Sequence, residues 1–202
     1  MAERIYLIRH GETPSNAARV VQTPETPLSE RGREQAQRLG LRMAAARPDA
    51  ILASDLMRAR ETAEAVAAAT HAPITLDASL QERNFGDMRG TPYSELREDI
   101  FAWDFTPPAG ESGAMFDARV AQAWQQVIQQ AENTAGILAV VTHGLVLRAL
   151  AEQFLDTTGI TPASDWANTC VTIVAGTAPW PAERLACTEH LEGLLDADGG
   201  AA

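Results

Sequence analysis

Lysine is missing from this chain, and all 16 basic side chains are arginine. Forked guanidinium donors suit phosphate bidentately, although a GC-rich coding sequence would also leave a chain without lysine, so this absence names no function by itself. Cysteine is scarce. Cys170 and Cys187 lie far apart and form no CxxC or CxxH set, which excludes a metal knuckle or a disulfide framework and leaves two free, buried thiols as the expectation. Positive charge is short as well: 27 acidic residues give a formal charge of −11, which works against nucleic acid or an anionic membrane as partner. An anionic ligand would need a local cluster of arginines. No apolar run approaches the ~20 residues of a membrane helix, and the opening MAERIYLIRH has too short an apolar segment for a secretory leader. The cytoplasm is the expected location.

What the chain does contain is an ordinary globular balance, 46% hydrophobic and 21% charged over 202 residues, with no repeat or linker. This predicts a single domain over 1–202. Ile5 to Ile8 form an unbroken apolar row ahead of Arg9-His10-Gly11, as in a central strand covered on both faces. Ser29 caps a helix to Ala46 with Ala36, Leu39, Met43 and Ala44 along one stripe, and Ala50 to Ser54 form a second strand. A helix opening at Asp55 and a short strand Ile74 to Leu76 follow. The alternation predicts an α/β fold, a doubly wound, mostly parallel sheet. Irregular sequence over about 79–113 reads as a lid or cap segment. Ser112 then caps a long helix bearing Phe116, Val120, Ala123, Val127 and Ala131, and Ile137 to Val141 form a core strand before Thr142-His143-Gly144. Strands over Cys170 to Ala175 and Arg184 to His190 are expected at a sheet edge with an antiparallel partner, and about 192–202 as a frayed tail.

Two of these apolar strands each end in His-Gly, at His10 and His143. In a parallel sheet both carboxyl ends face one side, so the two imidazoles can meet there. Arg58 lies in the first turn after the second strand and can reach the same edge, whereas Arg60 points away. Two histidines, Arg9, Arg58 and nearby helix N-termini describe an anion site, with phosphate the best-matched anion.

The strings LIRHGET with Asn16, SDLMRARETA, LQERNFG and VVTHG, in this order and spacing, resemble the histidine phosphatase superfamily, also called the phosphoglycerate mutase-like family. The resemblance runs from Ile5 to about Ile173. It implies a three-layer α/β/α sandwich, a mostly parallel sheet and no metal or organic cofactor. It also implies that His10 is the nucleophile that takes up the phosphoryl group, with Arg9, Arg58 and His143 around the phosphate and Glu82 as proton donor. Asn16 and Gln22 fall at the spacing of further phosphate contacts, but the usual Gly-Trp before the helix is absent near Gln22. Asn168-Thr169 resembles the family's Asn-Thr-Ser pattern with Cys170 in third place, and no role is assigned to it. Arg9 and Arg58 should hold the pKa of His10 down, keeping it a neutral nucleophile.

Each residue also has a plainer reading. Glu82 could be a solvated loop carboxylate, and His71 and His190 read as ordinary surface residues. Trp103, Phe105 and Phe116 are expected to pack the lid onto the core more than to line the cleft. Within the family the choice is between a phosphatase and a cofactor-dependent phosphoglycerate mutase. Mutases carry an Arg-Arg pair before their Pro-Pro turn, where this chain has Ala102 to Pro108 without arginine. Phosphatase is favoured, and Pro108 to Ser112 resembles family phosphatases of small molecules, including α-ribazole phosphate and glycolytic phosphates. The expected partner is a small phosphomonoester, oligomeric state being left open, a homodimer included. From another class comes a catalytically idle regulatory protein that binds a phosphometabolite.

Overall fold

The computed structural model describes residues 1–163 and 165–194. Six strands form one sheet: β1 (Arg4–Arg9), β2 (Ala50–Ala53), β3 (Ile74–Leu76), β4 (Ile137–Thr142), β5 (Val171–Ala175) and β6 (Ala182–Cys187), in the order β3-β2-β4-β1-β5-β6. Pairings among β1 to β4 are parallel, and β5 runs antiparallel to both β1 and β6. The sheet is thus mostly parallel with antiparallel pairing at one end, β6 forming the edge. That edge strand lies earlier than the sequence pattern suggests, and Glu189–Leu191 form a 3₁₀ turn instead.

Side-chain alternation builds the sandwich, because successive residues of a strand point to opposite faces. Ile5 and Leu7 of β1 and Leu138 and Val140 of β4 join a cluster with Val120, Trp124, Val127 and Leu150. Those partners belong to α4 (Gly113–Glu132) and α5 (Gly144–Gln153). Ile8, Ala139 and Val141 face the other way, onto Leu39, Met43, Ala59, Ala63 and Val66 of α2 (Glu30–Ala46) and α3 (Met57–Thr70). The Ser29 hydroxyl accepts from the Gly32 N–H and that of Ser112 from the Met115 N–H, capping α2 and α4 as the hydroxyl of an N-cap does. A four-residue helix at Pro14–Ala17, α1, interrupts what reads in sequence as loop; Thr13 and Asn16 close a reciprocal capping box around it.

Residues 78–112 contain only 3₁₀ turns and irregular chain, tied to the opening loop by a bridge between Val20 and Pro92. A small apolar cluster of Val21, Phe85 and Ile100 gathers under it, joined by Tyr93 and Phe105. Phe116 packs into the main core, while Trp103 is 64% exposed, its Nε1 donating to Asp117. Of the expected tail, residues 195–202 lie outside the described residues. Glu192 and Leu194 are anchored through their carbonyls, which accept from Arg38 and Arg31. His190 is a correction: it is half-buried between Arg42 (Nη1 to Nδ1 3.1 Å) and the Thr169 hydroxyl (3.2 Å from Nε2), because this segment folds back onto α2. His71 is exposed and caps α3 in the left-handed region, φ 62°. Both cysteines are free, and burial pushes the Cys170 thiol up to about 12.

Candidate active site

The register of β1 and β4 places Arg9 opposite Thr142, so the residues that follow, His10 and His143, emerge side by side. Their ring centroids are 5.1 Å apart at an interplanar angle of 56°. The strand exit is fixed by main-chain bonds: the His10 N–H donates to the Thr142 carbonyl (2.9 Å), and the His10 carbonyl accepts from Thr169 N–H (3.2 Å) and Asn168 Nδ2 (3.1 Å). Gly11 must be glycine for a packing reason, since a Cβ there would lie 2.7 Å from the Gly32 carbonyl oxygen on α2. Its N–H donates to the Thr62 hydroxyl (3.0 Å), which in turn donates to the Arg58 carbonyl (2.7 Å). The histidine loop and the first turn of α3 are therefore one hydrogen-bonded unit.

His10 is 2% exposed, and its Nδ1 lies 2.7 Å from the Gly11 carbonyl. A carbonyl only accepts, so Nδ1 carries the proton of the neutral ring and Nε2 keeps its lone pair. The His143 Nε2 contacts the Ser54 hydroxyl at 2.8 Å. Among the described residues, four buried side-chain polar atoms lack a hydrogen-bond partner, and three of them are Arg9 Nε, Arg58 Nε and His143 Nδ1. Buried polar atoms are almost always bonded in folded proteins. A cluster of unpartnered ones, two of them cationic, around a single imidazole is what an anion would satisfy. Arg58, 2% exposed, donates through Nη1 to the Thr23 carbonyl (3.1 Å), and Arg9 through Nη1 to that of Trp166. Arg60 is on the surface, paired with Glu64.

Burial, then Arg58 and Arg9, hold the pKa of His10 well below the ordinary imidazole value; burial and Arg58 do the same for His143. Burial also brings His190 down to about 4, and brings Arg58 down to about 10, against the pull of Glu82. In the unfolded chain these histidines protonate near ~6.5, so below that pH the unfolded state binds more protons than the folded one. Stability is then lost on acidification, by up to ~1.4 kcal/mol per pH unit for each histidine. We expect the urea midpoint to fall steadily from pH 7 to pH 5, and to fall less steeply in His143→Gln. A midpoint independent of pH over that range would contradict these protonation states.

Glu82 lies on the segment that crosses the strand ends. Its Oε2 accepts from the Leu145 N–H (3.2 Å) in the first turn of α5, and its Oε1 from the Arg83 N–H (3.0 Å). What fixes this segment is a pair that the sequence did not point to. Arg119 of α4 donates to the carbonyls of Ser79 (2.8 Å), Gln81 (2.7 Å) and Glu82 (3.3 Å), while gripping both oxygens of Glu111 at 2.7 Å. Glu111 also accepts from the Asn84 N–H (2.8 Å). Burial works to raise the pKa of Glu111, but the bonds from Arg119 and Asn84 prevail and lower it. Arg83, 5% exposed, stitches the same stretch through the carbonyls of Ala102, Phe105 and Glu111.

These side chains surround a cleft of about 280 Å³ lined by Arg9, His10, Asn16, Gln22, Arg58 and Glu82. His143 lies just behind, against the His10 ring. Asn16 and Gln22 are brought together by Thr13, whose hydroxyl contacts Asn16 Oδ1 and Gln22 Oε1, each at 3.0 Å. The aromatic lining comes from Phe85, Tyr93, Phe101 and Trp166. None of the three lid aromatics considered from sequence is among the lining residues.

Comparison with known proteins agrees with this architecture. The sequence profile of the histidine phosphatase superfamily (branch 1) matches residues 5–182. A protein of Erwinia tasmaniensis named "Probable phosphoglycerate mutase GpmB" is 34% identical over 162 residues, covering 75% of this chain and 74% of that protein. Bacillus stearothermophilus YhfR superposes with a TM-score of 0.80 at 32% identity, covering 93% of this chain and 98% of YhfR. An Escherichia coli protein described as a candidate alpha-ribazole-5'-P phosphatase superposes with a TM-score of 0.76 at 27% identity, over 93% and 97% of the two chains. With the paired strand-end histidines and a profile match over most of its length, the chain belongs to the histidine phosphatase superfamily, branch 1.

Proposed function

We propose that the protein is a phosphomonoesterase of small phosphorylated metabolites, working without a metal through a phosphohistidine on His10. The observation that carries this is the state of His10: Nδ1 bonded to the Gly11 carbonyl, Nε2 unprotonated, and the unpartnered buried nitrogens Arg9 Nε, Arg58 Nε and His143 Nδ1 around it. In the first step the Nε2 lone pair forms a bond to phosphorus while the bond from phosphorus to the ester oxygen breaks, and Glu82 gives its proton to that oxygen. In the second, water attacks the phosphohistidine, Glu82 takes the water proton, and the P–N bond breaks to release inorganic phosphate and free His10. Arg9, Arg58 and His143 hold the non-bridging oxygens throughout, with Asn16 and Gln22 as further contacts. Such fixed donors supply most of the catalysis in phosphoryl transfer.

A second reading, a phosphoglycerate mutase, is favoured by the name of the Erwinia relative. A mutase returns the phosphoryl group to a hydroxyl and must exclude water from the phosphoenzyme. Ala102 to Thr106, directly before the Pro107-Pro108 turn, contain no arginine of the kind that mutases of the family place there. One panel separates the readings: phosphomonoesters with EDTA present, including 3-phosphoglycerate with and without 2,3-bisphosphoglycerate, followed for phosphate and for isomerised product. Phosphate release without isomerisation is the expected result. Isomerisation that depends on the bisphosphate supports the mutase, and binding without turnover of any ester supports a regulatory relative.

A further inference from the structure

The two imidazoles at the strand ends have hydrogen-bond partners of different kinds. The His10 Nδ1 lies 2.7 Å from the Gly11 carbonyl, which can only accept and so leaves the Nε2 lone pair bare. The His143 Nε2 lies 2.8 Å from the Ser54 hydroxyl, which can give or take a proton. The other nitrogen of that ring, Nδ1, is buried beside His10 without a partner. Which nitrogen of His143 carries the proton is therefore set by what the hydroxyl does.

The surroundings of Ser54 decide it. Ser54 opens the string SDLMRARETA, of which the reaction so far uses only Arg58. It is 0% exposed and follows directly on β2, and its N–H donates to the Val141 carbonyl (2.9 Å) on the strand that leads to His143. The Leu56 N–H donates to its Oγ (3.3 Å). A serine hydroxyl has one proton and two lone pairs, so with Leu56 on a lone pair the proton still needs an acceptor. The described residues bring none within reach except His143 Nε2. Burying an O–H without an acceptor is costly, so the hydroxyl donates to Nε2. The ring is neutral, because burial first, then Arg58, His10 and Arg9, hold its pKa well below the ordinary imidazole value. Its single proton then sits on Nδ1. A carbonyl in place of the hydroxyl would draw the proton to Nε2 and turn the Nδ1 lone pair against a phosphate oxygen.

We propose that Ser54 is a positioning residue for His143: its hydroxyl donates to Nε2, holds the ring in the Nδ1–H form, and so makes His143 a neutral hydrogen-bond donor to a phosphoryl oxygen. The last step rests on reading the cleft as a phosphomonoester site. Both imidazoles then carry their proton on Nδ1, and they differ in role because opposite ends of the rings meet the phosphoryl group. His10 offers its Nε2 lone pair to phosphorus, and His143 its Nδ1–H to oxygen.

Long-range ¹H–¹⁵N correlation spectra of the full chain, labelled at its four histidines, test this, since a protonated ring nitrogen and a bare one resonate far apart. The His143 signals are those lost in His143→Gln. In the ligand-free, unsubstituted protein at neutral pH, the protonated nitrogen of His143 should be Nδ1. Ser54→Ala should lose that preference and bind inorganic phosphate about 10- to 100-fold more weakly by calorimetry, the range of one hydrogen bond to a charged group. Ser54→Thr, which keeps the hydroxyl, should restore the tautomer and most of the affinity. A merely structural role would lower the number of binding sites and leave the tautomer and affinity of the remainder as they were. A proton on Nε2 of His143 in the unsubstituted protein overturns the proposal whatever the variants do. A tautomer unchanged in Ser54→Ala, or a phosphate affinity unchanged there, overturns it too. The tautomer is read without ligand, so hydrolysis of p-nitrophenyl phosphate by the unsubstituted protein judges the phosphatase reading separately.

Discussion

Replacing His10 with alanine is expected to lower phosphomonoester turnover by at least ~10⁴-fold, the scale on which removal of a covalent nucleophile acts, and to leave the protein without an acid-labile, alkali-stable phosphoryl label. The reason for so large an effect is that no neighbour can stand in. His143 is 0% exposed, held with its Nε2 against the Ser54 hydroxyl behind the His10 ring, and only His10 of the two is among the cleft-lining residues. Water would have to attack an ester still flanked by arginines, with none of the splitting into two smaller steps that a phosphoenzyme allows. Loss of fold is a separate matter, because the strand exit is held by main-chain bonds of His10 to Thr142, Thr169 and Asn168, which alanine preserves. Rapid-quench labelling with ³²P-substrate and a urea midpoint for the same variant provide the check. A label that survives in His10→Ala would remove His10 from the nucleophile's place.

The parts of this site that were legible in the sequence are those fixed by local rules. His10 and His143 could be paired because each ends an apolar strand, and neighbouring parallel strands present their carboxyl ends together. Arg58 and Arg60 could be told apart by helix geometry alone, and the structure has one buried in the cleft and the other bonded to Glu64 on the surface. Glu82 was legible only through its motif, as nothing local distinguishes it from the other loop carboxylates. Arg119 and Glu111 were not legible at all. Arg119 donates to main-chain carbonyls and Glu111 accepts from a main-chain N–H, all dozens of residues away, and main-chain groups have no residue-type signature. Phe85, Tyr93 and Phe101 reach the cleft for a similar reason: the path of an irregular segment decides which of its aromatics face inward. His190 looked like surface because residues 188–194 carry no periodic pattern, yet Arg31, Arg38 and Arg42 draw that segment onto α2.

Glu82→Gln should split the two halves of the reaction. Glutamine keeps the side chain's length and can still accept from the Leu145 N–H, but it has no proton to deliver to a leaving oxygen and cannot take one from water. Loss of a general acid is worth ~10²–10⁴-fold, and the loss falls where proton transfer is needed. An alkoxide is a poor leaving group, so with alkyl phosphates the first step itself slows and little phosphoenzyme forms. The p-nitrophenolate ion leaves unprotonated, so with p-nitrophenyl phosphate the first turnover stays fast while attack of water is slow. The expected result is a burst of one nitrophenolate per site, a phosphoenzyme that accumulates, and a low steady rate. Arg119→Met should reproduce this pattern at smaller amplitude, roughly 10-fold in the alkyl first turnover. Its guanidinium touches the Ser79, Gln81 and Glu82 carbonyls rather than any reacting atom, so it acts as a positioning residue through the carboxylate it aims. A purely structural role would lower the first turnover of both substrates equally, by reducing the fraction of folded sites. The ratio of alkyl to p-nitrophenyl first-turnover rates is therefore the deciding measurement, and a ratio unchanged in Glu82→Gln would take the proton donor's role away from that residue.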